Sequence, residues 1–117
     1  MPKEMDELEK MKIYTQCINL WGIYPQMFMV VEELGELIVA VSKYDRKQAT
    51  ADDIAGEIAD VRIMCDQLMH VVGVSEYQVK QKEIAKMERL KERIKKFKED
   101  KENKRKNDIH SIRNKDN

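Results

Sequence analysis

A chain of 117 residues supports one domain with a thin core, so a homo-oligomer is expected to complete it. Hydrophobic residues make up 42% and charged residues 38%, with 4 Gly and 2 Pro, which favours helices and argues against a sheet protein. The net charge is zero, yet residues 1–70 hold 7 Lys/Arg against 13 Asp/Glu and residues 71–117 hold 15 against 9. In that basic half Lys and Arg alternate with Glu, the pattern of a solvated helix face, so nucleic acid is not the expected partner.

The N-terminal MPKEMDELEKMK is charged and has no apolar core, so no export signal is visible, and no apolar run reaches membrane-spanning length. Pro2 suits the first turn of a helix running to about Trp21. Gly22 and Pro25 break it, and Pro25 opens a second helix that continues to about Tyr44. Residues 45–51 are a polar connection. Thr50 with Asp53 has capping-box spacing for a third helix, which Gly73 is placed to end in a left-handed conformation. Ser75 with Gln78 repeats the capping spacing and opens a fourth helix from Glu76 to about Lys104. The expected organisation is a helical domain over 1–104 and a charged, disordered tail over 105–117, where apolar periodicity is lost. Cys17 and Cys65 stand alone without a CxxC, as buried reduced thiols of a cytoplasmic protein would.

The second helix is apolar nearly all round, yet Glu32, Glu33 and Glu36 sit in its middle, and no Lys or Arg lies between Lys12 and Lys43. The third repeats the pattern with Glu57 and Asp60. A salt-bridged helical acid finds its cation three or four residues away. For Glu33, Glu36, Glu57 and Asp60 those neighbours are apolar or acidic. The fourth helix does the opposite, with Glu92–Lys96, Asp100–Lys104 and Glu102–Lys106 in the favourable order. Buried carboxylates without protein cations need protons or a metal ion, and an all-carboxylate set suits Mg²⁺, with Mn²⁺ also accepted. Both acidic pairs lie roughly 10–12 Å from the connecting turn at about 1.5 Å per residue. A short connection makes the two helices antiparallel neighbours, so the pairs are level with one another.

The segment EELGEL at Glu32–Leu37, followed by EIAD at Glu57–Asp60, resembles the ExxE…ExxD signature of the MazG-like all-α nucleoside triphosphate pyrophosphohydrolase superfamily. WGIYPQ before it and KMERLKERI after it look like the phage and bacterial members, and the resemblance covers about Ile18 to Ile94. It implies an all-α antiparallel bundle, four helices per chain, completed by a homodimer or a dimer of dimers. It also implies Mg²⁺-dependent hydrolysis of nucleoside triphosphates to monophosphate and pyrophosphate. Glu33, Glu36, Glu57 and Asp60 would hold the metal. Many members carry Asn two positions before the lysine matching Lys86, where this chain has Ile84.

A carboxylate not saturated by the metal, Glu33, and the neighbouring Glu32 are the candidates for accepting a proton from the attacking water, with Glu32 equally readable as a solvent-facing acid. Lys86 and Arg89, one turn apart, are candidates for clamping phosphate, and Lys43 is another, against the alternative of a solvated helix face. Trp21 either stacks on a base or belongs to the core. Gln26, on the same helical face as Glu33, either reads a base edge or satisfies a buried site. Met27, Met29, Met64 and Met69 read as core filler. His70, one turn from Asp66, reads as a helix-terminal imidazole before it reads as a ligand. Two alternatives of function stand beside this one: a phosphoribosyl-ATP pyrophosphohydrolase, and a non-enzymatic helical interaction protein with a basic arm. A di-iron bundle needs Glu-x-x-His pairs, which are missing.

Overall fold

The computed structural model describes residues 1–115. Four helices follow one another: α1 (Glu7–Trp21), α2 (Ile23–Asp45), α3 (Ala51–Val72) and α4 (Glu76–Lys115). Among the described residues there is no strand. Met1–Glu76 form one compact unit and the chain from Tyr77 onward a second.

In the first unit each helix end follows from its local sequence. Asp6 caps α1 by accepting from the Glu9 amide at 2.8 Å. That displaces the expected start at Pro2 by several residues, because the capping oxygen comes from Asp6. Gly22, at a φ of 92°, separates α1 from α2, and Pro25 falls in the first turn of α2, where its missing N–H has no partner to lose. The amide of Gln48 reaches the Lys43 carbonyl at 2.7 Å and that of Lys47 the Tyr44 carbonyl at 3.0 Å. These paired bonds close α2, with Lys47 at a φ of 62° where glycine is commoner.

The capping box opening α3 is formed as its spacing predicts. The Asp53 amide donates to the Thr50 hydroxyl at 3.1 Å, and the Thr50 amide donates to the Asp53 carboxylate at 2.8 Å. That amide and the Thr50 hydroxyl, which donates to the same carboxylate at 3.0 Å, hold Asp53 below its usual range, with Lys43 assisting. Replacing Thr50 by Ala should cost about 1 kcal/mol, read as a lowered denaturation midpoint at unchanged m. Gly73, at a φ of 74°, ends α3 in the left-handed conformation anticipated for it.

The helices α2 and α3 pack along one another, and α1 lies against both. Along α2 the covered stripe is Gln26, Val30, Glu33, Leu37 and Ala40, alternating by four and three residues. Along α3 it is Ile54, Glu57, Val61, Met64 and Gln67. From α1, the buried Tyr14 hydroxyl donates to Asp66 at 3.5 Å, and Thr15 Oγ1 lies 3.2 Å from His70 Nε2. Met27, Met29, Met64 and Met69 are half-buried, consistent with filler.

Two expectations of burial are corrected. The helix expected to be buried on every face has one covered stripe in the single chain, while Val31 (63% exposed) and Ile38 (69%) face outward. A hairpin with one further helix can cover only part of an all-apolar surface. For the same reason Cys65, on the outer side of α3, is exposed and Cys17 half-buried; both are free thiols.

In the second unit α4 continues through residue 104 to Lys115, across the segment expected to lose its order. Apolar periodicity is indeed absent there, but Lys, Arg and Glu are good helix formers and no Gly or Pro interrupts them. Glu102 pairs with Arg105 at 3.1 Å, one turn away, in place of the expected Lys106. Asp116 and Asn117, the end of the expected tail, lie outside the described residues.

Candidate metal centre

The centre of the α2–α3 hairpin brings the two acidic pairs together. Glu33 and Glu36, three residues apart, present their carboxylates from one side of α2, and Glu57 and Asp60 do the same from α3. One oxygen from each lies within 4.8 Å of all the others. Opposite ligands of an octahedral Mg²⁺, each at about 2.0–2.1 Å from the ion, lie roughly 4 Å apart, so the cluster has the dimensions of such a site.

The environment is graded. Glu36 and Asp60 are exposed, whereas Glu33 and Glu57 are half-buried. The Oε2 atoms of Glu33 and Glu57 are both fully buried and accept no hydrogen bond. A buried carboxylate oxygen without a donor is costly, and a hard cation removes that cost for both at once. The carboxyl of Glu33 is held above its usual range, first by desolvation, then by the charges of Glu36 and Asp60 and by the hydrogen bond its protonated form donates to the Glu36 carboxylate, with the charge of Glu57 adding to it.

The native metal-free state holds its proton on Glu33 at pH values where the unfolded chain has lost it. Stability therefore falls as pH rises from the ordinary carboxylate range through the raised value. Glu33→Gln removes the titration. Its stability gain over the wild type, measured in chelator, should be small in acid and grow as the pH rises through that window. A gain that does not change with pH would contradict the crowding of charge.

Beside the cluster lies an open groove of about 800 Å³ lined by Glu32, Glu36, Lys43, Gln48, Asp53 and Glu57, among others. Of the sequence candidates, Glu32 and Lys43 thus join the carboxylates in one groove. Trp21 does not line it; it is 61% exposed at the end of α1. Gln26 lies two turns from Glu33, and the Gln67 Nε2 donates to its Oε1. Both amides are buried, Gln67 at 2% exposure. Lys86 and Arg89 are exposed on α4 in the second unit. A second groove of about 730 Å³, between α1 and the end of α3, is lined by Tyr14, Asp66 and His70. His70 there lies against Thr15, while Asp66 serves Tyr14 in place of the imidazole. Burial, then the charges of Asp66 and Glu7, raise the Tyr14 hydroxyl above its usual range.

Sequence reasoning missed Gln67 and Gln48. Gln67 stands seven residues after Asp60, as Gln26 stands seven before Glu33, and that mirrored spacing was the available signal. No family model, curated protein or solved structure matches the chain.

Proposed function

We propose that the chain is a Mg²⁺-dependent nucleotide pyrophosphohydrolase of the MazG-like type, cleaving nucleoside triphosphates to monophosphate and pyrophosphate. The observation that carries the reading is the four-carboxylate cluster with two buried, partnerless oxygens. Glu33, Glu36, Glu57 and Asp60 would hold the metal, and the EELGEL and EIAD segments supply those residues at the spacing of that superfamily. When bound, the metal polarises a phosphoryl group and lowers the pKa of water.

The chain's own groups account for the rest. The adjoining groove carries Glu32, Glu36, Asp53 and Glu57 against the single cation Lys43, so an uncomplexed triphosphate is repelled from it. Lys43, on the groove wall, gives one phosphate oxygen a partner. Glu32 and Glu33 are the groups able to accept the proton of an attacking water. Lys86, Arg89 and Trp21 remain proposed contacts to phosphate and base. The test is a screen of canonical and modified triphosphates with Mg²⁺, scored for pyrophosphate. Monophosphate and pyrophosphate in equal amounts support the reading. Release of inorganic phosphate alone, or no turnover of any triphosphate, overturns it.

The proposed assembly is an antiparallel bundle in which the hairpins of two chains form a four-helix core, within a dimer or a dimer of dimers. It is supported by the exposed apolar residues of α2, Phe28, Val31 and Ile38 among them. Association should then be obligate: dilution should lower helical ellipticity as well as mass. A compact monomer at micromolar concentration in sedimentation would refute it.

A further inference from the structure

The Gln26–Gln67 hydrogen bond fixes the alignment of α2 on α3; continued along the hairpin, that numbering sets Glu33 level with Asp60 and Glu36 level with Glu57, and the four carboxylates do gather in one cluster. Across these pairs, the α2 number rises as the α3 number falls by the same amount. One alignment therefore satisfies the amides and levels the acids together. The geometry points to the Gln26–Gln67 pair as the device that sets the register of the hairpin, and so as a positioning pair for the carboxylates two turns away.

The apolar residues of the hairpin do not discriminate between registers. After a slip of one turn, Gln26 would lie level with Ile63 and Met64, or with His70 and Val71. Gln67 would lie level with Gly22 and Ile23, or with Met29 and Val30. Leucine-like and methionine-like surfaces repack readily. Two buried amides do not, because each would lose its partner. The acids oppose the observed register, since it brings four like charges together. Of the four clustered acids, a one-turn slip in either direction would leave only one of α2 level with one of α3, although a slip toward residues 63 and 64 would also set Glu36 level with Asp53. The caps at the connecting turn act only at the other end, because Gln26 lies roughly 28 Å along α2 from Asp45 at about 1.5 Å per residue. A single buried polar pair that specifies register at some expense of stability is well attested in paired helices.

The effect on register can be read without any metal, whereas its bearing on catalysis rests on the function proposed above. The register is measured as a distance between spin labels, one on the native Cys65 and one on Val41→Cys, in a Cys17→Ser background diluted with unlabelled chain. Gln26→Met with Gln67→Met keeps the length of both side chains and removes the hydrogen bond. It should add a second distance offset by about 5 Å, one helical turn. Gln67→Met with Met64→Gln moves the amide one turn along α3, and should lengthen the distance by about 4–5 Å as a single population. An unchanged single distance in the paired-Met chain overturns the proposal. Should that chain not fold, the relocated amide decides alone, and an unchanged distance there overturns it equally.

Mn²⁺ binding is followed in parallel. If the wild type binds, the paired-Met chain should bind at least tenfold more weakly, with its melting temperature in chelator unchanged or raised. Equal affinity in the two would overturn the positioning role. A wild type that binds no Mn²⁺ overturns the metal reading, and the label distances still decide the register.

Discussion

Millimolar Mg²⁺ or Mn²⁺ should raise the melting temperature of the protein by several degrees at fixed protein concentration. Without metal the native state holds four carboxylates together, and two of their oxygens are buried without a donor. Unfolding separates them. A cation that binds only the folded hairpin stabilises it by RT ln(1 + [M]/Kd), about 1.4 kcal/mol when free metal stands tenfold above its dissociation constant. For a domain of this size that corresponds to a shift of roughly 5–10 °C. K⁺ at equal ionic strength is the control, because screening alone relieves part of the repulsion between the exposed Glu36 and Asp60. Equal shifts in the two salts would show that the cluster is only a crowded acidic surface.

Glu36→Gln or Asp60→Asn should abolish turnover while leaving the metal-free fold as stable as the wild type or more so. Each variant keeps the shape of the side chain and deletes one of four like charges, so native repulsion falls. Each also removes an anionic ligand from a set that has no other donors. Loss of a group that merely orients a ligand costs about 10–100-fold in activity, so loss of a ligand should exceed about 100-fold. The two readouts must move apart, with activity falling and the melting temperature in chelator holding or rising. A variant retaining near-wild-type activity would remove that residue from the ligand set. A variant losing both activity and stability would indicate a structural role for its carboxylate.

How legible this protein is depends on the range of the interaction concerned. Features decided within one turn could be read directly. The Thr50–Asp53 box and the left-handed Gly73 are fixed by residues three apart or by a single backbone preference. The acidic pairs could be read because their missing cations would have been sequence neighbours. The start of α1 was misplaced because Pro2 permits a helix to begin, whereas Asp6 makes it begin. The length of α4 was underread because loss of an apolar stripe says that a helix lacks a packing face, and the propensity of Lys, Arg and Glu sustains it regardless. Gln67 was missed because a buried amide is recognised only with its partner, which lies 41 residues away and is linked to it in the sequence by the mirrored spacing alone. The outward exposure of Val31, Ile38 and Cys65 follows from how many elements are present to cover them, which no local pattern encodes.

The mirrored numbering of the hairpin also divides the chain into places where its length can change and places where it cannot. The five residues 46–50 between α2 and α3 contribute no carboxylate to the cluster. Doubling that loop costs only about 0.6 kcal/mol of closure entropy and leaves the facing pairs level. A single residue inserted between Gln26 and Glu33 is different in kind. It turns everything beyond it by about 100° around α2, so the amide and the acids could no longer face α3 together. Natural variation in length is therefore admissible at the turn and forbidden in the seven-residue interval on either helix. The hairpin behaves as a gauge block whose two marks, amide and acid, must be cut at one spacing on both halves.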